Sequence, residues 1–431
     1  MHEKLEKELL IIQLNEMNFD YAKYYIDKYN LDNLKKLTNL NNCLTYSETD
    51  YEKLEPWIQW VTFNTGKSAD QHEIFRLGDV NKLKFKQIYE RIEELGYGVG
   101  AISPMNTDNR LKSPRFFISD PWTMTSGDNN YFHNLLSKCL SKVVNNNSKK
   151  KIGFSNYIIL IISILRYLRI SRYPYFIKLL FSSIKKSWHK VFILELLLHE
   201  LYFKCLKNSK TNFSSIFFNG IAHIQHHYFF NMENFTSRKN PDWYLSSNYD
   251  PFRETLFFYN KILGDYFNLG KNFLVITGLS QKPYDMEKYY YRLNSPDSFF
   301  NLLKLNYKNI KTRMTRDFLV EFSNKEDAIK AQGVLYNLVD KNGVNLFNEL
   351  DLKGDTLFVT LTYPHKIDRE FELKINDKKV LFYKYVSFVA LKNGMHNGRG
   401  FVFSNIKKFF NTGEVVDLRD FYKKIENYFL A

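Results

Sequence analysis

Short apolar runs alternate with segments of helical periodicity along most of the chain. The apolar runs, each bounded by turn residues, predict strands at Leu9–Leu14 and at residues 97–103, 214–219 and 272–277. Helices are predicted between them, at residues 21–37, 85–95 and 252–267. Strands that are joined through helices pair in parallel. The pattern therefore predicts an α/β fold, with a mainly parallel central sheet flanked by helices.

Two stretches depart from this alternation. Residues 146–212 contain apolar runs interrupted by basic residues, which is typical of amphipathic helices, and a polar linker at 145–151 opens this stretch. Beyond residue 316 the pattern predicts a strand-rich C-terminal portion that extends to residue 400. We therefore expect residues 1–145 and 213–431 to form two halves of one α/β domain, with a helical insertion at 146–212 and a strand-rich subdomain at 316–400.

The composition favours a folded intracellular protein. Charged residues make up 25% of the 431 positions and hydrophobic residues 44%, and the three cysteines are widely spaced. The charged N-terminus does not resemble a signal peptide, and no run reaches the roughly 18 apolar residues of a membrane span. We expect a cytoplasmic location, with a peripheral position at the inner membrane face as an open alternative. The oligomeric state is left open.

The net charge of +15 is concentrated in one segment. Residues 149–210 contain thirteen Lys and Arg but only Glu195 and Glu200, so this segment carries +11 and the rest of the chain only +4. Basic amphipathic helices of this kind bind anionic membrane surfaces. A helical cap with its charges in solvent is the alternative. Nucleic acid is not an expected partner, because no motif for reading bases is present.

The candidate chemistry begins with a tract of histidines after a predicted strand. The strand at 214–219 leads into Gly220, and His223, His226 and His227 follow. Loops at the carboxyl ends of strands bind ligands in α/β proteins. In a helix, His223 and His227 share a face and His226 lies beside them. Imidazole binds metals and transfers protons near neutral pH, so we expect a functional site here. Simple packing of the three rings is the alternative.

Several segments taken together resemble the alkaline phosphatase superfamily, in its type I phosphodiesterase, nucleotide pyrophosphatase and sulfatase-like branch. They occur in the family's order: Leu9–Leu14 followed by Asn15-Glu16, the segment 55–66 followed by His72, Asn219 with His223, the strand ending at 275–281, and His396 between Gly394 and Gly398. The resemblance implies an alkaline phosphatase-like α/β fold. It also implies phosphoryl or sulfuryl transfer assisted by divalent ions.

The sequence departs from the family at positions that bind metal. Asn219 stands in the place of an aspartate, and Leu279-Ser280 stand in the place of an Asp-His pair. The resemblance therefore implies at most one divalent ion (Zn, Mn or Mg), and no metal at all is the alternative. The implied ligands are His223, His226, His396 and Asn219. The implied catalytic residues are His223, His227, His396 and Glu16.

The nucleophile and the substrate are less closely defined. The family's nucleophile would fall near Glu55-Pro56-Trp57, where no hydroxyl or thiol stands, although Thr62 and Thr65 lie nearby. We expect six residues to contact substrate: Trp57, Gln59, Gln281, Arg313, Arg316 and Lys392.

Four blocks of the sequence, at residues 55–60, 223–228, 277–281 and 313–317, also resemble proteins encoded in bacterial surface-polysaccharide gene clusters. This resemblance implies an anionic glycan or sugar-phosphate substrate, such as a capsule or O-antigen precursor, that could be lipid-linked. The expected activity is phosphoryl, sulfuryl or glycosyl-phosphate transfer. A metal-independent transferase and an inactive glycan-binding scaffold are the alternatives.

Overall fold

The computed structural model describes residues 7–145, 153–312, 316–376, 378–407 and 409–431. Arg313 and the predicted linker after Asn145 lie outside these described residues.

The strands of the described residues, in chain order, are β1 (Leu9–Leu14), β2 (Asn41–Tyr46), β3 (Val99–Ile102), β4 (Phe116–Ile118), β5 (Phe213–Phe218), β6 (Phe273–Ile276), β7 (Ser280–Pro283), β8 (Tyr289–Leu293), β9 (Asn309–Thr312), β10 (Asp317–Glu321), β11 (Glu349–Lys353), β12 (Thr356–Thr360), β13 (Glu372–Ile375), β14 (Lys378–Leu381), β15 (Val386–Leu391), β16 (Gly394–Asn397), β17 (Gly400–Ser404) and β18 (Val415–Asp417).

The α-helices of the same residues are α1 (Phe19–Lys28), α2 (Asp32–Thr38), α3 (Pro56–Thr65), α4 (Ala69–His72), α5 (Ile88–Glu94), α6 (Tyr131–Asn145), α7 (Phe154–Tyr167), α8 (Tyr173–Ser182), α9 (His189–Asn208), α10 (Gly220–Tyr228), α11 (Pro251–Phe267), α12 (Pro296–Leu302), α13 (Lys325–Tyr336) and α14 (Asp420–Leu430).

The large sheet has the strand order β18-β2-β17-β6-β1-β5-β3-β4. Strand β17 runs antiparallel to both of its neighbours, and the other neighbouring pairs are parallel. Every residue of β1 and β5 is buried, as expected for central strands covered by helices on both faces. The prediction of an α/β fold with a mainly parallel sheet is confirmed.

One face of this sheet packs against α3, α5 and α14. Trp60, Ile88 and Phe421 from these helices join Leu9 and Ile11 of the central strand in one buried cluster. Helix α3 is buried on nearly its whole circumference and begins with Pro56, whose fixed φ suits the first turn of a helix. This helix therefore forms part of the core beneath the carboxyl ends of the strands.

The described chain divides into two compact units, of which the second is built from Tyr284–Asn393. Strands β9 to β12 form an antiparallel sheet there, and Phe299, Phe318 and Leu357 contribute to a separate core. This unit overlaps the strand-rich portion expected at 316–400. It begins earlier because β8 pairs with β15, and it ends before β16 because β16 pairs with β7 of the first unit.

The segment that we expect to be a helical insertion contains α7, α8 and α9, which belong to the first unit. Within the described ranges, none of the helices is both long and apolar enough to cross a bilayer by itself. The two helical segments Phe154–Tyr167 and Ile170–Ser182 are together long and apolar enough by length and composition, but the chain bends by 116° between them.

Candidate functional site

The carboxyl ends of β1, β5 and β6 lie side by side in the sheet. The register aligns Leu14 with Phe218, and Gln13 with Ile276. The chain that follows β1 stays attached to both neighbouring strands, because the Asn15 amide donates to the Phe218 carbonyl and the Glu16 amide to the Thr277 carbonyl, both at 3.0 Å. The polar residues that follow these strands therefore meet at one edge of the sheet.

Glu16 occupies a backbone conformation that is uncommon for a residue with a side chain. Its φ is +61°, and its side chain is buried. The Glu16 carbonyl accepts from Gln225 Nε2 at 2.7 Å and from the Gln281 amide at 3.2 Å. Such a conformation costs about 1–3 kcal/mol and persists only where neighbouring groups hold it in place. These contacts therefore fix the direction of the Glu16 carboxylate.

Two imidazoles face this carboxylate. The Nε2 atoms of His226 and His396 lie 3.2 and 3.3 Å from Glu16 Oε2. His396 reaches this position because β16 pairs with β7, in a register that sets it opposite Gln281. The pairing of β16 with β7 thus brings His396 next to His226, although the two residues are far apart in the sequence.

The other nitrogen of each ring faces an acceptor. His226 Nδ1 lies 3.3 Å from the Gly394 carbonyl, and His396 Nδ1 lies 3.6 Å from a carboxylate oxygen of Glu55. A proton on Nδ1 leaves the Nε2 lone pair directed at the position beside Glu16. Metal-binding histidines commonly use this arrangement, in which the outer acceptor fixes the tautomer and the ring orientation.

Amide side chains hold the carboxylate from behind. Asn15 Nδ2 donates to Glu16 Oε1 at 2.9 Å, and Trp60 Nε1 donates to Asn15 Oδ1 at 2.8 Å. Gln281 Nε2 donates to Glu16 Oε2 and, at 3.0 Å, to the Ala222 carbonyl. A series of hydrogen bonds from Trp60 through Asn15 to Glu16 therefore connects the buried core to the carboxylate that is a candidate metal ligand.

The charges around Glu16 keep it ionised. Burial by itself raises the pKa of a carboxylate, but His396 and His226 more than offset this and hold the pKa of Glu16 well below its usual range. A carboxylate and two imidazoles place their ligand atoms within 4.8 Å of one another, and these are ligand types that bind divalent cations.

The spacing of these atoms fits such an ion. Ligands held at about 2.1 Å by a tetrahedral ion lie roughly 3.4 Å apart. The two carboxylate-to-imidazole separations, 3.2 and 3.3 Å, are close to this value.

The remaining histidines of the tract form a second pair on the same helix. The rings of His223 and His227 lie 4.4 Å apart, at the expected spacing of i and i+4. Enclosure of the His223 ring, followed by the nearby His226, lowers the pKa of His223 to about 4. His223 is therefore neutral at physiological pH. Asn219 makes a different contact, because its Oδ1 accepts from Asn15 at 2.7 Å.

Trp57 and Gln59, two of the expected substrate contacts, lie in helix α3. Trp57 Nε1 donates to the Phe75 carbonyl at 3.1 Å, and the buried Gln59 donates to the Lys53 carbonyl at 2.8 Å. Both threonine hydroxyls are buried and engaged: Thr62 Oγ1 lies 3.2 Å from His72 Nε2, and Thr65 Oγ1 donates to the Val61 carbonyl at 2.7 Å. Neither hydroxyl is therefore presented to a substrate.

Two predicted substrate contacts lie in the second unit. The Arg316 guanidinium stands 4.0 Å from the centre of the Tyr290 ring, and Lys392 Nζ stands 5.4 Å from it. Burial opposes ionisation of the Tyr290 phenol, but Arg316 and Lys392 outweigh it and lower the pKa of Tyr290. The second unit thus places these two basic side chains around one aromatic ring.

Three residues of the first unit's site were not predicted individually: Glu55, Trp60 and Gln225. Gln225 is adjacent in sequence to His226, and Glu55 begins the segment in which the family's nucleophile would fall. The same residues could therefore have been proposed from their positions. Trp60 carried no such signal, because an aromatic residue in an apolar segment is usually core.

A second group with similar ligand chemistry lies between α9 and α11. His199, Glu200 and Asp265 also place ligand atoms within 4.8 Å of one another. Arg169 donates to both Glu200 oxygens, at 2.6 and 2.7 Å, and Arg172 pairs with Asp265. Since guanidinium groups already neutralise these carboxylates, we interpret this group as structural.

Comparisons with known proteins yield only distant structural likenesses. No family model and no curated protein matches the sequence. Phosphonoacetate hydrolase from Sinorhizobium meliloti 1021 aligns with a TM-score of 0.42 and 11% identity, over 98% of this chain and 96% of that one. Human ectonucleotide pyrophosphatase/phosphodiesterase 5 aligns with a TM-score of 0.42 and 9% identity, over 98% and 95%. The alkaline phosphatase of the Antarctic bacterium TAB5 aligns with a TM-score of 0.40 and 10% identity, over 99% and 98%.

Proposed function

We propose that this chain is a hydrolase or transferase for phosphoryl, sulfuryl or glycosyl-phosphate groups. In this proposal Glu16, His226 and His396 hold a single divalent cation. The observation that carries the proposal is the donor set itself: one ionised carboxylate and two imidazole Nε2 atoms, about 3.2–3.3 Å from the carboxylate oxygen, with each Nδ1 facing an oxygen acceptor.

The resemblance to the alkaline phosphatase superfamily gives this donor set a specific interpretation. That family follows its first strand with an aspartate ligand and then a glycine, and here Asn15 and Glu16 occupy those two positions. The φ of Glu16 is +61°, in the region that favours glycine. We infer that the carboxylate of the site has moved by one residue and that Asn15 now supports it through a hydrogen bond.

The chemistry follows from this set of residues. A bound divalent ion would supply Lewis-acid polarisation of a phosphoryl or sulfuryl oxygen. Glu16 provides the negative charge that attracts the ion, and Gly394 and Glu55 orient the two rings. Because the Thr62 and Thr65 hydroxyls are buried and engaged, the attacking group comes from water or from an acceptor substrate.

The proposed substrate is an anionic glycan or sugar-phosphate, of the kind used as a precursor of a capsule or O-antigen, and it could be lipid-linked. The resemblance to proteins of surface-polysaccharide gene clusters supports this choice. Arg316 and Lys392 are the proposed contacts for its anionic part, which their charge and their position around Tyr290 support.

One observation favours a metal-independent transferase as the second candidate. Gln281 donates to Glu16 Oε2, so the oxygen that faces both imidazoles already accepts a hydrogen bond. In that case Glu16 and the two histidines would transfer protons directly. An inactive glycan-binding scaffold predicts neither a bound metal nor turnover.

A hydrolysis assay on the full chain separates these candidates. Purified protein is incubated with bis-p-nitrophenyl phosphate or p-nitrophenyl sulfate, with Zn, Mn or Mg and with EDTA. We expect metal-dependent turnover that Glu16→Gln and His396→Asn each reduce by about 100-fold or more, since each change removes a ligand. His365→Asn, at an exposed histidine of the second unit, is the matched control. Turnover that survives EDTA would support the metal-independent candidate, and undiminished turnover in Glu16→Gln would overturn the site.

A further inference from the structure

Helix α7 presents its most apolar stripe to solvent. Six residues at the spacing i, i+3, i+4, i+7, i+8 and i+11 are exposed by 42–80%: Phe154, Tyr157, Ile158, Ile161, Ile162 and Leu165. The buried positions of the same helix are Asn156, Ser163 and Tyr167. A helix on the surface of a globular protein normally turns such a stripe toward the core. In α7 the stripe of six apolar residues faces solvent instead.

Helix α8 and its connections also expose a stripe of apolar residues to solvent. Ile177, Leu180, Phe181 and Ile184, at the spacing i, i+3, i+4 and i+7, are exposed by 47–82%, and Ile170 in the connection from α7 is 88% exposed. Leu179 is the buried residue of this helix. Isolated apolar residues on a surface are ordinary, but apolar stripes on two successive helices mark an interaction surface.

Buried ion pairs fix the direction in which these stripes face. On one side of α8, Arg169 and Arg172 pair with Glu200 and Asp265. On the other side, His189 Nε2 lies 2.6 Å from Glu254, which also accepts from Trp188 Nε1 at 2.8 Å. Turning the stripes inward would break these pairs, and stranding a buried charge costs about 3–5 kcal/mol.

The charges around the apolar stripes indicate which kind of partner binds this surface. Glu195 and Glu200 are the only acidic residues of the sequence between positions 149 and 210, and both are buried. Arg166, Lys178, Lys185 and Lys190 are exposed. The outer surface of α7 and α8 thus combines apolar and exclusively cationic side chains. A second copy of the same surface would repel it, whereas an anionic bilayer complements both features.

We propose that α7 and α8 form a membrane-docking surface that binds the face of an anionic bilayer. The apolar stripes enter the boundary between headgroups and acyl chains, and the flanking Arg and Lys contact lipid phosphates. This inference is independent of the chemistry proposed for Glu16, His226 and His396.

Vesicle flotation with the full chain tests the docking surface. We expect the protein to float with vesicles of phosphatidylcholine and phosphatidylglycerol, and to float less with phosphatidylcholine alone. The triple variant Ile161→Ser, Leu165→Ser, Phe181→Ser should lose at least about tenfold in apparent affinity, because each change removes an apolar group from the lipid. The matched control is Ile329→Ser, Tyr336→Ser, which alters exposed apolar residues of the second unit.

Variants that remove positive charge, and a measurement of self-association, complete the test of the docking surface. Arg166→Gln, Lys178→Gln, Lys185→Gln should weaken flotation with anionic vesicles specifically, and the thermal midpoint of every variant should match that of the wild type because all altered residues are exposed. Equal flotation of the wild type and the triple serine variant would overturn the proposal. A dimer in light scattering that the serine variant dissociates would overturn it too, since the stripes would then bind a second copy.

Discussion

Among the described residues of the first unit, two groups of three carboxylate and histidine residues place their ligand atoms within 4.8 Å of one another. The side chains around the two groups differ. In the group of His199, Glu200 and Asp265, two arginines reach the carboxylates. In the group of Glu16, His226 and His396, the carboxylate is contacted by amides and imidazoles. An arginine supplies a permanent positive charge and so completes an ion pair. Amides and imidazoles orient a carboxylate while leaving room for a cation, so we interpret the first group as structural and propose the second as the metal site.

The largest expected effect comes from breaking the structural group. Arg169→Met leaves Glu200 and Asp265 without one of their cations in a buried setting, so the free energy of unfolding should fall by about 3–5 kcal/mol. Urea denaturation measures this change. Arg166→Met, which removes an exposed guanidinium that stacks on Phe132 and Tyr167, is the control and should cost less than about 1 kcal/mol. Equal, small effects of both changes would contradict the structural interpretation.

A third buried carboxylate, that of Glu195, lies beside α10. It makes the free energy of unfolding depend on pH. Glu195 accepts from the Gly220 amide and from Tyr259, and burial raises the pKa of Glu195 to about 7. Between pH 4.5 and 7 the unfolded chain releases this proton while the folded chain keeps it. This carboxylate therefore lowers the free energy of unfolding as pH rises, by about 3 kcal/mol in all.

Glu195→Gln should remove this pH-dependent decrease in the free energy of unfolding. We expect the variant to be more stable than the wild type at pH 8 and close to it at pH 4, as measured by urea denaturation at both values. A variant that is less stable than the wild type at pH 8 would show that the ionised carboxylate stabilises the fold.

Two tryptophans give the smallest and most specific test. Trp60 Nε1 donates to Asn15 in the candidate metal group, and Trp188 Nε1 donates to Glu254, each at 2.8 Å. Both changes to Phe should cost about 1–3 kcal/mol, since each leaves a buried acceptor with one hydrogen bond fewer. Only Trp60→Phe should also weaken metal binding, by about tenfold, because Trp60 orients Asn15 and thus Glu16. Equal metal affinity in both variants would remove Trp60 from the support of the site.

The central strands β1, β3, β5 and β6 were predictable because their apolar runs are local. Leu9–Leu14 was predicted with its observed bounds, since its two buried faces give a continuous apolar run. Helix α3 was not predicted, because nine of its ten residues are buried and no amphipathic periodicity remains. The predicted helix at 21–37 is interrupted after α1, where Asn30 has a φ of +48°.

The site was predictable only in part. The spacing of His223 and His227 on one helix follows from local geometry, and the structure places their rings together. The meeting of Glu16, His226 and His396 depends on the pairing of β7 with β16 and on the unusual φ of Glu16, and neither leaves a local pattern. The sequence likewise predicted amphipathic helices in the insertion, but which face of α7 points outward depends on the buried ion pairs.

The central claim is that Glu16, His226 and His396 form a single metal site, and calorimetric titration of the metal-free full chain with Zn²⁺ or Mn²⁺ tests it most directly. We predict one ion bound per chain in the wild type and in Asp265→Asn, and no binding in Glu16→Gln or His396→Asn. A wild-type chain that binds neither ion, or a site lost in Asp265→Asn and retained in Glu16→Gln, would contradict the claim.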